Sequence, residues 1–290
     1  MSNVEETLAG YKQRLEQYLD QSVSMENAPD RLRDAMRYSL LAGGKRLRGC
    51  ILLASCEMAG GSVKDALPFA AAVEMIHAYS LIHDDLPAMD NDTLRRGKPT
   101  SHVVYGEAVA ILAGDGLLTH AFEVMAASVH PQAFRALGEI ARAAGIGGML
   151  AGQTLDVTME GSQPDLNLVR RIHEGKTAAL LAAPVAAGLI LAGADEGAVE
   201  AGRQYGYHLG MAFQIQDDLL DLTGDPALMG KTLGKDQAEG KLTWPACVGI
   251  GQARRDAEAH VRAAAEALSP FGLRADVLRQ IAFSTLSRAQ

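Results

Sequence analysis

Two clusters of aspartate interrupt a chain dominated by alanine, leucine and methionine. In HDDLPAMDNDTLRRGK, Asp84, Asp85, Asp90 and Asp92 fall close together, and Pro87 breaks the helix between them. In FQIQDDLLDLTGD, Asp217 and Asp218 precede Asp221 by four and three positions, so a helix places the three carboxylates on one face, with Gln214 extending the stripe. Like charges at that spacing destabilise a helix, and the negative end of the helix dipole adds to the cost. Two carboxylates about 5 Å apart repel by roughly 3 kcal/mol at an effective dielectric near 20, so such clusters call for a cation. Hard oxygen donors without a cysteine or paired-histidine set point to magnesium rather than zinc, and magnesium favours a few carboxylates plus substrate phosphates.

Basic residues supply the other half of a phosphate site. Lys45, Arg46 and Arg48 form one group, and Arg95, Arg96 and Lys98 follow the first aspartates directly. The chain carries a net charge of −8, which disfavours nucleic acid and anionic membrane as partners and makes these local groups worth explaining. A solvated acidic helix end is the competing reading for either cluster alone. It weakens for the pair, because each carboxylate face leads into a loop containing Gly-Lys. The dipeptide His83-Asp84 also evokes metal phosphohydrolases, which need further histidines on separate helices, and His77, His102, His120 and His173 are available for that reading.

These residues must be positioned by helices. Apolar residues recur at spacings of three and four, and alternating β-branched runs are nearly absent, so the expected fold is all-α: a single-domain helical bundle over residues 1–290 around a central cavity. Helices are expected at 4–20, 31–42, 46–59, 66–85, 107–128, 132–143, 146–160, 166–190 with a break near Gly175, 196–222, 243–265 and 273–288. The uncharged run from Ala178 to Ala194 is shorter than a membrane span needs and carries Pro184 and Gly188, so it reads as a buried core helix. The first twenty residues are charged and lack the pattern of a secretory leader. Three cysteines without a CxxC pair fit a reducing, cytoplasmic setting.

The motifs GGKRLR at 43–48, HAYSLIHDDLPAMDNDTLRRGKPTSH at 77–102, GDGLL at 114–118, EGKTAAL at 174–180, FQIQDDLLDLTGD at 213–225 and GKTLGKDQAEGKLT at 230–243 occur in order along nearly the whole chain. Together they resemble the isoprenyl diphosphate synthase family, its bacterial farnesyl diphosphate synthases in particular. The resemblance implies head-to-tail condensation of isopentenyl diphosphate with dimethylallyl diphosphate and then geranyl diphosphate, giving farnesyl diphosphate and releasing diphosphate. It implies three magnesium ions held by Asp84, Asp85 and Asp90 on one side and by Asp217, Asp218 and Asp221 on the other. Arg95, Lys176, Lys231 and Lys241 would grip the allylic diphosphate, with Lys235 a weaker candidate. Gly44, Lys45, Arg48, His77 and Arg96 would form a metal-free site for isopentenyl diphosphate, with Arg46 a solvated neighbour. Thr177, Gln214 and the Lys176 carbonyl would offer oxygen dipoles to the allylic cation. A homodimer without a membrane span is also implied. Two departures from the family pattern are Thr93, where an acidic residue is usual, and Gly49, where proline is frequent.

Product length is expected to turn on Tyr79 and Ser80, just before Asp84. Tyr79 lies roughly 7.5 Å down the helix from the metal site, a depth suited to the floor of a pocket for a short prenyl tail. An offset of about 140° on an ideal helix does not by itself aim it there. A core tyrosine is the alternative, as is a helix partnership between His77 and Glu74. The rival activities are a geranylgeranyl diphosphate synthase, a terpene cyclase and a non-catalytic regulatory subunit. The last two are disfavoured by the Lys45, Arg48 and Arg96 group and by the two intact aspartate sets.

Overall fold

A computed structural model describes residues 3–24, 28–223 and 240–287. The elements are α1 (Asn3–Ser22), α2 (Asp30–Leu40), α3 (Leu47–Met58), α4 (Val63–Asp84), β1 (Leu94–Arg95), β2 (Lys98–Pro99), α5 (Ser101–Tyr105), α6 (Glu107–Ala126), α7 (Ala133–Ala144), α8 (Met149–Thr158) and α9 (Leu166–His173). A π-helical turn (Glu174–Ala178) then leads into α10 (Ala179–Leu191) and α11 (Glu196–Thr223). Beyond the undescribed stretch come α12 (Trp244–Val248), α13 (Ile250–Ala267), a 3-10 turn (Ser269–Ala275) and α14 (Asp276–Leu286). The fold is all-α; β1 and β2 are the two short arms of one antiparallel hairpin, with Arg95 opposite Lys98.

Three features depart from the helices expected. The hairpin and α5 occupy a stretch read only as a basic loop, where Arg96 and Gly97 both take positive φ and reverse the chain sharply. The expected helix 166–190 is interrupted by the π turn, at the break anticipated near Gly175. The expected helix 243–265 is two helices, because Gly249 sits at φ 80°, outside any helical conformation.

α10 is the centre of the packing, lying against α3, α7 and α11. Its residues from Leu180 to Leu191 are almost all buried, in keeping with the core helix expected from the uncharged run. The helices meet at backbone distance: a Cβ on Gly206 of α11 would lie 2.4 Å from the Ala182 Cα of α10. That proximity brings the π turn, at the start of α10, beside the last turns of α11. α4 runs alongside α6 and α3. A smaller cluster of Val169, Met211, Ile215, Leu219 and Trp244 ties α9, α11 and α12 together behind the second aspartate set.

The close approach at Gly206 has a measurable consequence. Gly206→Ala overpacks the α10–α11 seam, at a cost of about 1–3 kcal/mol, and should lower the thermal midpoint by several degrees. Gly10→Ala on α1, where an added Cβ meets nothing within 4 Å, gains helix propensity and should not lower it.

Candidate active site

α4 ends at the first aspartates, and the loop that follows folds back over its own terminus. The Asp90 amide donates to the Asp84 carbonyl at 2.8 Å. The hairpin then returns Arg95 to Asp85, whose carboxylate receives Nε and Nη2 at distances of 2.6–2.9 Å. Burial raises the pKa of Asp85 even against that arginine. Asp84 is raised to about 6, first by burial and further by the negative charges of Asp90 and Asp85, while Lys176 and Arg95 pull it back. The crowding inferred from spacing is therefore a property of the folded chain.

Each of these carboxylates is met by a cation or donor from a distant element. Gln153 Nε2 of α8 donates to Asp84 at 2.9 Å, and Lys241 Nζ lies 3.1 Å from Asp90. Lys176 projects from the π turn and pairs with Asp156 of α8 at 2.5 Å. Burial works against its charge, yet Asp156, Asp84 and Asp90 keep its pKa above the ordinary lysine value. The π turn reaches this position because two glycines let backbones touch: a Cβ on Gly152 would lie 2.0 Å from the Lys176 amide nitrogen. Gln153 and Asp156 were not anticipated from sequence. Their only signal was two polar residues at helical spacing beside Gly152, too common a pattern to single out.

On the other side of the π turn, Thr177 donates its hydroxyl to Gln214 Oε1 at 2.7 Å. Lys176 and Thr177 thus face the two aspartate sets at once, Lys176 toward α4 and Thr177 toward α11. Within α11 the aspartates divide. Asp217 is partly accessible, whereas Asp221 is buried at 4% exposure. Asp218 is 3% exposed and its carboxylate is committed to protein: Oδ2 accepts the Trp244 amide at 2.8 Å and lies 3.2 Å from His173 Nε2, while Oδ1 accepts from Gln214. The His173 ring stacks on Trp244 at 5.7 Å. Asp218, expected among metal ligands, is therefore the tie between α9, α11 and α12.

The basic residues build a different site. Gly43 and Gly44 both take positive φ, and Gly44 lies so close to the Arg96 guanidinium that a Cβ would sit 2.6 Å from it. Arg96 donates to the Gly43 carbonyl. Arg48 has a buried Nε without a hydrogen-bond partner among the described residues, and burial lowers its pKa. His77 titrates well below the usual histidine range, through burial and then the charges of Arg48 and Arg96, so it is neutral at physiological pH. Lys45 is exposed. Arg46, expected in solvent, is instead 5% exposed and clamped by Glu16. Glu74 accepts the Gly49 amide and faces Arg46, which accounts for its carboxylate without a bond to His77.

A recess bounded by Tyr38, Arg46, Glu74, His77, Asp85 and Arg96 runs beside the end of α4; Asp85 is the one aspartate of the two sets on its wall, and Gly44, Lys45 and Arg48 are not on it. Tyr79 is 4% exposed, with its ring edge-on to His83, and its pKa is pushed up to about 12 by burial and the Asp84 charge. Ser80 bonds the His77 carbonyl. Lys231 and Lys235, and the expected closing loop 224–240 apart from Gly240, lie outside the described residues.

The donor set suits magnesium. It consists of hard carboxylate oxygens, and the pKa of Asp84 is raised by burial and then by the charges of Asp90 and Asp85, both of which a bound cation would offset. Among the described residues no three carboxylates already converge as a chelate. Arg95, Gln153 and Lys241 each approach one of them, two as cations and one as a neutral amide.

Trp244 is the chain's one tryptophan and reports directly on the Asp218 tie. Asp218→Ala leaves its buried amide unpaired, a loss of about 1–3 kcal/mol, and should lower the thermal midpoint by several degrees while shifting the tryptophan emission to the red.

Comparison with known proteins gives one answer. The sequence profile of the polyprenyl synthetase family matches residues 29–270. The chain is similar to the farnesyl diphosphate synthase of Bacillus subtilis (strain 168), at 44% identity covering 94% of each chain. It is also similar to the geranylgeranyl diphosphate synthase of Cyanophora paradoxa, at 44% identity over 96% of this chain and 94% of that one. Among solved structures, an FPP/GFPP synthase from Zymomonas mobilis in its apo form superposes with a TM-score of 0.88 at 35% identity, covering 98% of this chain and 99% of the other. With its two aspartate-bearing helix ends, its π turn and its separate basic recess, this chain belongs to the polyprenyl synthetase family.

Proposed function

We propose that the protein is a magnesium-dependent prenyltransferase that condenses isopentenyl diphosphate with dimethylallyl and then geranyl diphosphate to form farnesyl diphosphate. The observation that supports this reading is a carboxylate-rich cradle at the end of α4 next to a basic recess at His77 and Arg96, with Asp85 at the border of the two. One suits a diphosphate bound through metal, the other a diphosphate bound without it. A hydrolase or cyclase needs only the first.

The chemistry divides accordingly. Magnesium ions, three by family resemblance, would be held by Asp84, Asp85, Asp90, Asp217 and Asp221, and would withdraw charge from the allylic diphosphate as its carbon–oxygen bond breaks. Arg95, Lys176 and Lys241 stand beside those carboxylates and would hold the leaving diphosphate, with Lys231 a further candidate by resemblance. Thr177 and Gln214 present oxygen dipoles to the allylic cation and offer no strong nucleophile to trap it. Gly44, Lys45, Arg48, His77 and Arg96 would hold isopentenyl diphosphate. Neutral His77 adds a hydrogen-bonding group there without adding charge to four nearby arginines. The isopentenyl double bond attacks the cation, and the proton then lost passes to the released diphosphate.

Tyr79 is the proposed floor for the growing chain, with Ser80 beside it. A geranylgeranyl product is the second reading, favoured by the equal similarity to the Cyanophora synthase. Purified protein supplied with isopentenyl and geranyl diphosphates and magnesium should give mainly the fifteen-carbon product, and chelation should abolish it. Mainly twenty-carbon product would reverse the choice. Tyr79→Ala should lengthen the product, and an unchanged product spectrum would remove Tyr79 as the floor.

We also place the protein in the cytoplasm, in line with its unpaired buried thiols Cys50 and Cys56, and read it as a homodimer. α6 is apolar enough to cross a membrane yet only 33% buried, while the other such stretch, Leu166–Leu191, is 72% buried in the core. Ile111 and Leu112 lie exposed on α6, next to Val103 and Val104 of α5. A second copy of the chain covers such a face without a lipid phase. Light scattering should give the mass of a dimer, and Ile111→Asp should shift it toward monomer.

A further inference from the structure

Arg46 stands in a setting that an ordinary surface arginine would not reach. It caps α3 in the left-handed region at φ 50°, which is uncommon outside glycine, asparagine and aspartate. Its side chain is 4% exposed. Nε and Nη2 form a fork with the two oxygens of Glu16 on α1, at 2.7 and 3.1 Å, and Nη2 also donates to the Leu40 carbonyl at the end of α2 at 2.6 Å. Nη1 faces Glu74 of α4 at 3.8 Å, and the other Glu74 oxygen receives the Gly49 amide at 2.9 Å. A Cβ on Gly49 would meet Leu15 of α1 at 2.4 Å, so α1 is pressed against this turn by packing as well as by charge.

One guanidinium thus binds α1, the end of α2 and the start of α3, and approaches α4. Its neighbours in sequence are two further cations: Lys45, exposed, and Arg48, buried near Glu74 with an Nε that has no hydrogen-bond partner among the described residues. Arg46 lines the recess, but its Nε and Nη2 donors are engaged by Glu16 and Leu40 and its Nη1 faces Glu74. Its planar fork is what the geometry uses, and a lysine would supply the charge without the fork.

We propose that Arg46, held by Glu16, is a positioning residue for the isopentenyl diphosphate site: it locks the left-handed turn that sets Lys45 and Arg48 at their separate stations. This rests on the reading of that basic recess given above. It assigns α1, which contributes no group to the recess itself, control over affinity for the metal-free diphosphate. The left-handed strain at Arg46 is offset by the Glu16 fork and the Leu40 carbonyl.

The sign of one substitution separates positioning from direct contact. Isopentenyl diphosphate titrated calorimetrically into metal-free protein in a chelator should bind about tenfold more weakly to Glu16→Gln and to Arg46→Lys than to the unsubstituted chain. The KM for geranyl diphosphate should stay within about twofold. If Arg46 gripped diphosphate itself, releasing it from Glu16 would tighten binding, and tighter binding by Glu16→Gln overturns the proposal. A lower thermal midpoint with unchanged affinity also overturns it, since a purely structural role does that. The titration needs no turnover. A chain that binds isopentenyl diphosphate and forms no prenyl product would defeat the proposed activity while leaving this result to stand, and a chain that fails to bind it without metal would defeat the positioning role.

Discussion

Mutual repulsion among carboxylates at the end of α4 is the constraint around which the remaining elements are arranged. Asp84 and Asp85 lie where burial and like charge both oppose ionisation, and Asp84 is pushed up to about 6 as a result. Left alone, such a group would protonate or open. It is held by parts that come from far along the chain: the hairpin with Arg95, α8 with Gln153, the π turn with Lys176, and Lys241 just before α12. Two of these elements have a backbone feature that a regular helix would not supply: the left-handed Arg96 in the hairpin and the π turn at 174–178. Those two irregular parts carry Arg95 and Lys176 to the end of α4.

The same arrangement makes the site ready for phosphate. Cations paired to aspartates in the metal-free protein are the ones a diphosphate would recruit once metal neutralises the carboxylates. The basic recess beside it follows the opposite rule. There the positive groups outnumber their partners: Arg48 keeps an unsatisfied Nε, His77 is neutral, and only Glu74 and Glu16 supply negative charge. One cradle has a surplus of anions and the other of cations, separated by little more than the last turns of α4. On the proposed reading, that polarity would hold two diphosphates in different ways.

Asp218 and Arg46 show how residues of one type split between duties. Asp217 and Asp218 are adjacent, but one is partly accessible while the other ties His173 and Trp244. Arg46 and Arg48 are two apart, yet Arg46 is spent on Glu16 and Leu40 while Arg48 has a donor to spare. In both cases one of the pair is consumed by packing while the other keeps a polar group to spare.

The residues alone determined the all-α class, most helix positions, the buried run that became α10, and the expectation of cation and phosphate at both aspartate sets. Those follow from local periodicity, charge spacing and punctuation by glycine and proline, which act over a few residues. The sequence also marked a break near Gly175 but not its form, because a π turn needs the close approach of Gly152 from α8. Only the tertiary structure decided that Asp218 and Arg46 turn inward, that Gln153 and Asp156 join the site, and that the helix expected at 243–265 divides at Gly249. Those outcomes depend on which side chains from distant helices arrive at a given carboxylate or guanidinium. Spacing along one helix fixes the face a residue occupies and carries no information about what will be packed against it.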